Sequence, residues 1–315
     1  MLPIDVQGLT KIYDGRAVVD DVTFSVPERH VFGLLGPNGS GKTTTIKMLT
    51  GLIRSDGGSI RILGMDLAKQ PIRIKASIGH VYANVAFYAH MSALENLQFL
   101  GRLYGLRAGR LRTRIREALD FVGLWEERGK QVGKYSLGMK QRLGIARALI
   151  HEPAVLLFDE PTSGIDVQGV KLVRDLIYEL RSQGKTILIA SHQLGEIELV
   201  SDSIGLLRAG RLVSVATPHE IKERLRGVLY KYVIRVPEPI PDLGVEVVDR
   251  RFVKDCHVVL AGSPIGSQLT ARFGADVVES VDPTLEEAFL WMLSADAVSA
   301  APSKGGRGSL DGAGS

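Results

Sequence analysis

The spacing of apolar residues changes along this chain, and each change predicts a different kind of element. Residues 1–28 alternate short β-branched runs with turn signals such as Asp14-Gly15, which predicts a pair of strands. Val31-Phe32-Gly33-Leu34-Leu35 is unbroken apolar sequence fit for a buried strand, and residues 44–49 open a helix. Residues 51–82 read as short strands and turns around Asp56-Gly57-Gly58 and the run 60–63. From about 92 to 150 the period becomes helical. Leu94, Leu97, Leu100 and Leu103 recur at that spacing, and so do Ile115, Leu119 and Val122. This all-helical block interrupts the strands as an inserted subdomain would. Residues 151–215 return to strand–helix alternation, with strands at 154–158 and 186–190 and a helix at 167–183. Their near-continuous apolar character predicts parallel strands covered by helices on both faces.

After Pro218 a helix runs to about Arg226, and a second unit follows. It reads as strands near 228–236, 245–253 and 257–261, a helix near 264–273, a strand near 277–281 and a helix at 284–293. That is enough for a small α+β domain. Residues 294–315 hold five glycines and no aromatic residue, which predicts a disordered tail. No internal repeat is visible.

Composition narrows the class. A chain of 315 residues exceeds one compact core and predicts a large domain plus a smaller one. It is 45% hydrophobic and 23% charged, ordinary globular material. A net charge of +4 is too modest for the basic face of a nucleic-acid binder. Cys256 is the single cysteine, so no intrachain disulfide and no cysteine metal cluster can form. It reads as a small core residue, and a reducing cytoplasm fits. The N-terminus shows no signal peptide. The longest apolar runs are strand-length, far below the roughly 20 residues that cross a bilayer. If the protein works at a membrane, another chain must hold it there.

Candidate chemistry begins at Gly36-Pro37-Asn38-Gly39-Ser40-Gly41-Lys42-Thr43, which fills every fixed position of the phosphate-binding pattern G-x-x-x-x-G-K-[ST]. Glycines let backbone N–H groups approach a polyanion. Lys42 supplies a point charge for β- and γ-phosphates, and the Thr43 hydroxyl is placed to ligate Mg²⁺. Thr44 continues into a helix whose N-terminus faces the phosphates. Downstream, Leu156-Leu157-Phe158-Asp159-Glu160 is an apolar strand ending in two acids. Beside a phosphate loop, Asp159 is positioned to hold Mg²⁺ through water and Glu160 to polarise the attacking water. Between them, Tyr135-Ser136-Leu137-Gly138-Met139-Lys140-Gln141-Arg142 leads into a helix. Ser136 and Gly138 at its N-terminus offer a hydroxyl, free N–H groups and a helix dipole to a γ-phosphate.

In this order of motifs, residues 1 to about 220 resemble the ATP-binding cassette (ABC) family. The LSGGQ-type signature takes the form Tyr135-Ser136-Leu137-Gly138-Met139, close to that of bacterial drug, bacitracin and lantibiotic systems. Glu160-Pro161-Thr162-Ser163-Gly164-Ile165-Asp166 resembles the acid pair running into the D-loop, and His192 matches the switch histidine that contacts the γ-phosphate. Tyr13 matches the aromatic that stacks on adenine. One departure concerns the junction into the helical insert, where the family usually carries glutamine. Here the sequence is Ile78-Gly79-His80-Val81-Tyr82-Ala83-Asn84. Ala83 takes the glutamine position and has no amide for metal or water; Asn84 is the neighbouring amide. The departure bears on metal affinity and on coupling to a transmembrane partner more than on nucleotide binding.

The resemblance implies an α/β fold, a P-loop NTPase cassette of residues 1–220. Its parts are a RecA-like core, an antiparallel β subdomain and a helical subdomain at about 84–150. Residues 221–293 would form the accessory α+β domain found after drug- and antibiotic-export cassettes. It further implies ATP and Mg²⁺ as ligands and ATP hydrolysis as the activity. Two cassettes would pair head to tail, each signature capping the other's ATP, with Asp166 at that junction. A separate transmembrane permease would complete the transporter at the cytoplasmic face of the membrane. Its cargo would be a drug, antibiotic or lipid-like molecule, exported. Phe87, Tyr88, Met91 and Leu94 would line the groove receiving a short permease helix. The arginines at 102, 107, 110, 112, 114 and 116 read as a solvated helix face, with anionic headgroups as a second reading. Two alternatives stay open on the residues alone: a soluble ABC protein of translation or DNA repair, and a weakly hydrolysing regulator. A single phosphate loop and the absence of sustained heptads favour the transport subunit.

Overall fold

A computed structural model describes residues 2–83, 86–236, 240, 247–253, 255–284, 287 and 291. The chain folds into two compact units, Met1–Glu220 and Ile221–Ser315. The predicted tail at 294–315, most of the predicted helix at 284–293, and Asn84 lie outside the described residues.

The first unit opens with β1 (Ile4–Tyr13) and β2 (Arg16–Val26), an antiparallel pair. β3 (Val31–Leu35) follows, buried at every position, and the phosphate loop turns it into α1 (Lys42–Leu49). β4 (Gly57–Ile62) and β5 (Met65–Asp66) join β1 and β2 in a four-stranded antiparallel sheet of order β2-β1-β4-β5. α2 (Pro71–Ser77) and β6 (Ile78–Val81) complete the stretch read as strands and turns, so that reading missed a helix. Pro71 occupies its first turn, where the missing N–H is no loss.

The insert is helical: α3 (Ala93–Leu103), α4 (Ala108–Phe121), a 3-10 turn at Val132–Lys134, and α5 (Leu137–Leu149). α3 starts at a capping box in which Ser92 and Glu95 satisfy each other's backbone N–H. α4 buries Leu111, Ile115, Ala118 and Leu119, one stripe at helical spacing. The leucine stripe expected on α3 is narrower than predicted, since Leu97 is buried but Leu103 is 69% exposed.

β7 (Val155–Asp159), α6 (Val167–Ser182), β8 (Thr186–Ser191), α7 (Leu194–Val200), β9 (Ser203–Arg208) and β10 (Arg211–Ala216) close the unit. The main sheet has the order β10-β9-β3-β8-β7-β6. Pairs from β9 to β6 are parallel, and β10 is an antiparallel edge. β3, β7 and β8 are buried throughout, as their apolar interiors require. One core joins the antiparallel sheet to α1 and the main sheet through Ile4, Phe24, Phe32, Ile46, Met48 and Leu157. Phe24 and Phe32 stack with ring centroids 4.9 Å apart.

α8 (Pro218–Leu225) runs across the division between the units. The second unit contains β11 (Tyr230–Ile234), β12 (Asp249–Val253), β13 (Cys256–Ala261), α9 (Gly266–Phe273) and β14 (Val278–Val281). Its antiparallel sheet has the order β12-β13-β11-β14. Tyr232, Ile234, Val259, Ala261, Ile265 and Leu269 form its core. Cys256, read as a core residue, is only half-buried, whereas its strand neighbour His257 is buried. Successive side chains on a strand take opposite faces, and His257 takes the inner one.

Candidate active site

The carboxyl ends of β3 and β7 lie in one sheet, separated by β8. This places the loop after β3 beside the acids that end β7. In an open α/β sheet, that crevice is where ligands bind.

The loop is shaped by close approach. A Cβ on Gly36 would collide with the Leu207 carbonyl, and Gly41 caps α1 with a left-handed φ of 105°. Lys42 is 5% exposed, and its ammonium donates to the carbonyls of Gly36 at 2.7 Å and Pro37 at 3.1 Å. It lies 3.6 Å from Glu160 Oε1. Burial pulls its pKa down, against the opposing pull of Glu160 and Asp159. Thr43 Oγ1 donates to Asp159 Oδ1 at 3.0 Å. Burial raises the Asp159 pKa and the Glu160 charge adds to that, while the Thr43 bond acts the other way.

Glu160 occupies the left-handed region at φ 49°, a strained position worth about 1–2 kcal/mol for a residue with a Cβ. Its N–H donates to Ala190 O at 2.9 Å, and its carboxylate accepts from His192 Nδ1 at 2.8 Å. The structure therefore brings Lys42, Thr43, Asp159, Glu160 and His192 together from three separate stretches of sequence.

A cavity of about 310 Å³ opens over Lys42, Thr43, Glu160 and His192, while Asp159 and the expected loop residues Gly36, Pro37 and Ser40 do not line it. Asn38, Gly39, Gly41, Lys42, Thr43, Thr44, Glu160 and His192 line it, and so does Ala83 at the position where an amide was missing. Val18 and Ser163 also reach it without having been expected. The lining suits a phosphorylated ligand. The first N–H groups of α1 point out of the helix end, and Ser40 Oγ is buried with no partner among the described residues. No group of three or more His, Cys, Asp or Glu among the described residues could hold a metal by itself. A hard cation at Thr43 and Asp159 would complete its coordination with oxygens from water or from a ligand.

Four expected residues lie elsewhere. Ser136 caps α5 by accepting from Met139 N–H at 3.2 Å, and Gly138 follows in the first turn. Asp166 caps α6, accepting from Gly169 N–H at 2.7 Å. Tyr13 ends β1, is 45% exposed, and has the Lys11 ammonium 5.2 Å from its ring centroid. None of the four lines the cavity. The arginine run on α4 is largely neutralised: Arg110 and Arg114 pair with Glu152, and Arg116 pairs with Asp120.

Residues 19–163 match the model of the ABC transporter family. Over 222 residues the chain is 43% identical to the bacitracin transport ATP-binding protein BcrA of Bacillus licheniformis, covering 70% of this chain and 72% of that protein. It is 37% identical over 224 residues to the linearmycin resistance ATP-binding protein LnrL of Bacillus subtilis, covering 71% and 72%. Among solved structures, the ATP-binding subunit of an ABC transporter superposes with a TM-score of 0.65 at 29% identity, over 72% of this chain and 94% of that one.

Proposed function

The chain belongs to the ABC transporter family as an ATP-binding, ATP-hydrolysing subunit, and on that premise we propose how its residues divide the work. Residues 1–220 act as the cassette and residues 221–293 as an accessory domain. The phosphate loop from Gly36 to Thr44 takes the phosphates of ATP, with Lys42 on the terminal ones. Thr43 and Asp159 hold Mg²⁺, which when bound neutralises charge on the phosphate oxygens. Glu160 accepts a proton from the attacking water, and His192 orients the Glu160 carboxylate and contacts the γ-phosphate. Tyr13 stacks on adenine. The observation that carries this reading is the meeting of Thr43 with Asp159 and of Glu160 with both Lys42 and His192.

Ser136, Gly138 and Asp166 stand outside this cavity, which supports a site completed by a second copy of the chain. In that arrangement the α5 N-terminus of one copy caps the nucleotide of the other. Among the described residues no helix is long and apolar enough to cross a membrane. A separate permease then carries the cargo, and the cassette works at the cytoplasmic face of the membrane. Bacitracin, linearmycin and daunorubicin in the names of relatives support export of an antibiotic-like molecule. For the permease contact we propose the face formed by Phe87, Tyr88, Met91 and Leu94. The Arg147 guanidinium lies 5.5 Å from the Phe87 ring centroid and also lines a cavity of about 260 Å³ with His80, Tyr82 and Tyr104.

The test is purification of the tagged chain from detergent-solubilised native membranes, with ATPase assayed on the product. A multi-spanning protein in roughly equal amount is the expected result. A chain recovered alone, or with ribosomes or nucleic acid, overturns the transport reading.

A further inference from the structure

The left-handed backbone at Glu160 survives only because its surroundings hold it. Three of those holds are direct: the N–H to Ala190 O, the carboxylate to His192, and the Glu160 carbonyl accepting Ser163 N–H at 3.2 Å to close a turn. A fourth lies inside that turn. Thr162 is buried there, and its Oγ1 donates to a carboxylate oxygen of Glu196 on α7.

Glu196 lies in the first turn of α7, four residues after His192, which precedes the helix. The segment carrying both therefore grips the Glu160 turn twice, once at the acid itself and once at Thr162. The base of this segment is also fixed: Ser191 is buried at the end of β8, and its hydroxyl accepts Gln193 N–H at 3.1 Å. Glu196 is partly buried and lines a small, mainly apolar cavity with Pro161, Thr162, Ile177, Ile189 and Ile197. Burial raises its pKa, and the Glu160 charge acts in the same direction. A carboxylate in such lining is held there by the Thr162 hydroxyl, which leaves it little freedom to act as a surface charge.

We propose that Glu196 is a positioning residue for Glu160, anchoring through Thr162 the turn that keeps the Glu160 carboxylate against His192. The proposal rests on the reading of Glu160 as the group that activates water. Without the anchor the turn relaxes from its strained conformation, and Glu160 loses its fixed distance to the reacting water. Lys42 and the phosphate loop are untouched, so ATP is still bound.

The test uses the full-length chain and its ATPase. Glu196→Ala is expected to lower kcat by roughly tenfold to a hundredfold, the loss that small misplacements of a catalytic group produce, with KM for ATP within about twofold. Thr162→Val should do the same. Glu196→Gln and Thr162→Ser, which keep an acceptor and a donor, should retain most of the activity. The decisive arm is placed in the Glu160→Gln background. There Glu196→Ala should cause no further loss, because the group it positions is already gone. An equal further loss in that background overturns the proposal, as does full activity of Glu196→Ala or failure of Thr162→Ser to rescue. If Glu196→Ala does not fold, the Thr162→Val and Thr162→Ser pair decides alone. Normal turnover of Glu160→Gln by itself overturns the reading of Glu160, whereas a dead Glu160→Gln beside a fully active Glu196→Ala overturns only the anchor.

Discussion

Thr43 and Asp159 share a hydrogen bond of 3.0 Å that ties the first turn of α1 to the last residue of β7. Two motifs far apart in sequence become one two-oxygen site. Asp159 is buried there with a raised pKa, so it gains from a nearby cation more than an exposed carboxylate would. Asp159→Asn should raise the Mg²⁺ concentration for half-maximal ATPase by at least roughly tenfold, in line with losses seen when metal-site partners are removed. Binding of metal-free ATP should change little. A Mg²⁺ titration of ATPase, with a fluorescent ATP analogue titrated in EDTA alongside, reads both. An unchanged Mg²⁺ requirement removes Asp159 from the metal site.

Lys42 is held in place by two backbone carbonyls and by Glu160, so its ammonium is aimed before any ligand arrives. Loss of a buried charge-assisted contact is worth about 1.5–3 kcal/mol, or roughly 10- to 100-fold in affinity, per bond removed. With more than one phosphate oxygen in reach, Lys42→Ala should leave ATP binding undetectable at micromolar concentration by calorimetry. Circular dichroism should show the fold intact, since the side chain packs against the loop and not in the core.

Glu160→Gln keeps the shape of the side chain and its bond to His192, yet cannot accept a proton. It should bind MgATP, lose roughly 10²–10⁴-fold in turnover, the usual range for a general base, and accumulate as a dimer in size-exclusion chromatography with MgATP. A monomer that still turns over at the normal rate removes both the base and the paired-cassette mechanism.

Much of this architecture is legible in the sequence because the elements that carry it are buried on every side. β3 is apolar throughout, β7 and β8 carry polar residues only at their ends (Asp159, Thr186 and Ser191), and the loop after β3 admits only a few residue types. α2 was illegible for the opposite reason. Ile72-Arg73-Ile74-Lys75 alternates apolar and polar residues as a strand does, but on the helix positions two apart take different faces, so Ile74 is fully buried while Ile72 is 83% exposed. Leu103 likewise continues a helical stripe past the point where α3 has anything to pack against. The anchor at Thr162 and Glu196 was hidden because neither residue is informative until the chain places them together. The residues at the α5 N-terminus pointed to a phosphate site in sequence, yet within one chain they cap a helix and stay outside the cavity.

His80 offers a pH signature. Its ring lies 3.8 Å from that of Tyr82, and neither ring nitrogen has a hydrogen-bond partner among the described residues. Burial, helped by the Arg147 charge, lowers its pKa to about 4. An unfolded histidine titrates at its ordinary value near 6.5. Between those two values the unfolded chain therefore binds a proton that the folded chain refuses. The contribution of a neutral His80 is intact above pH 6.5 and is lost progressively as pH falls toward 4, by roughly 3 kcal/mol at the acid limit. His30 and His151 are also lowered by burial and contribute in the same direction, so the wild-type curve alone does not isolate His80. The difference from His80→Phe does, because phenylalanine keeps the stack on Tyr82 and cannot protonate. Thermal melts of both proteins from pH 7.5 to 4.5 should diverge below pH 6.5, the wild type losing stability faster. Parallel curves would mean that His80 finds a partner in solution and is not the acid-sensitive group.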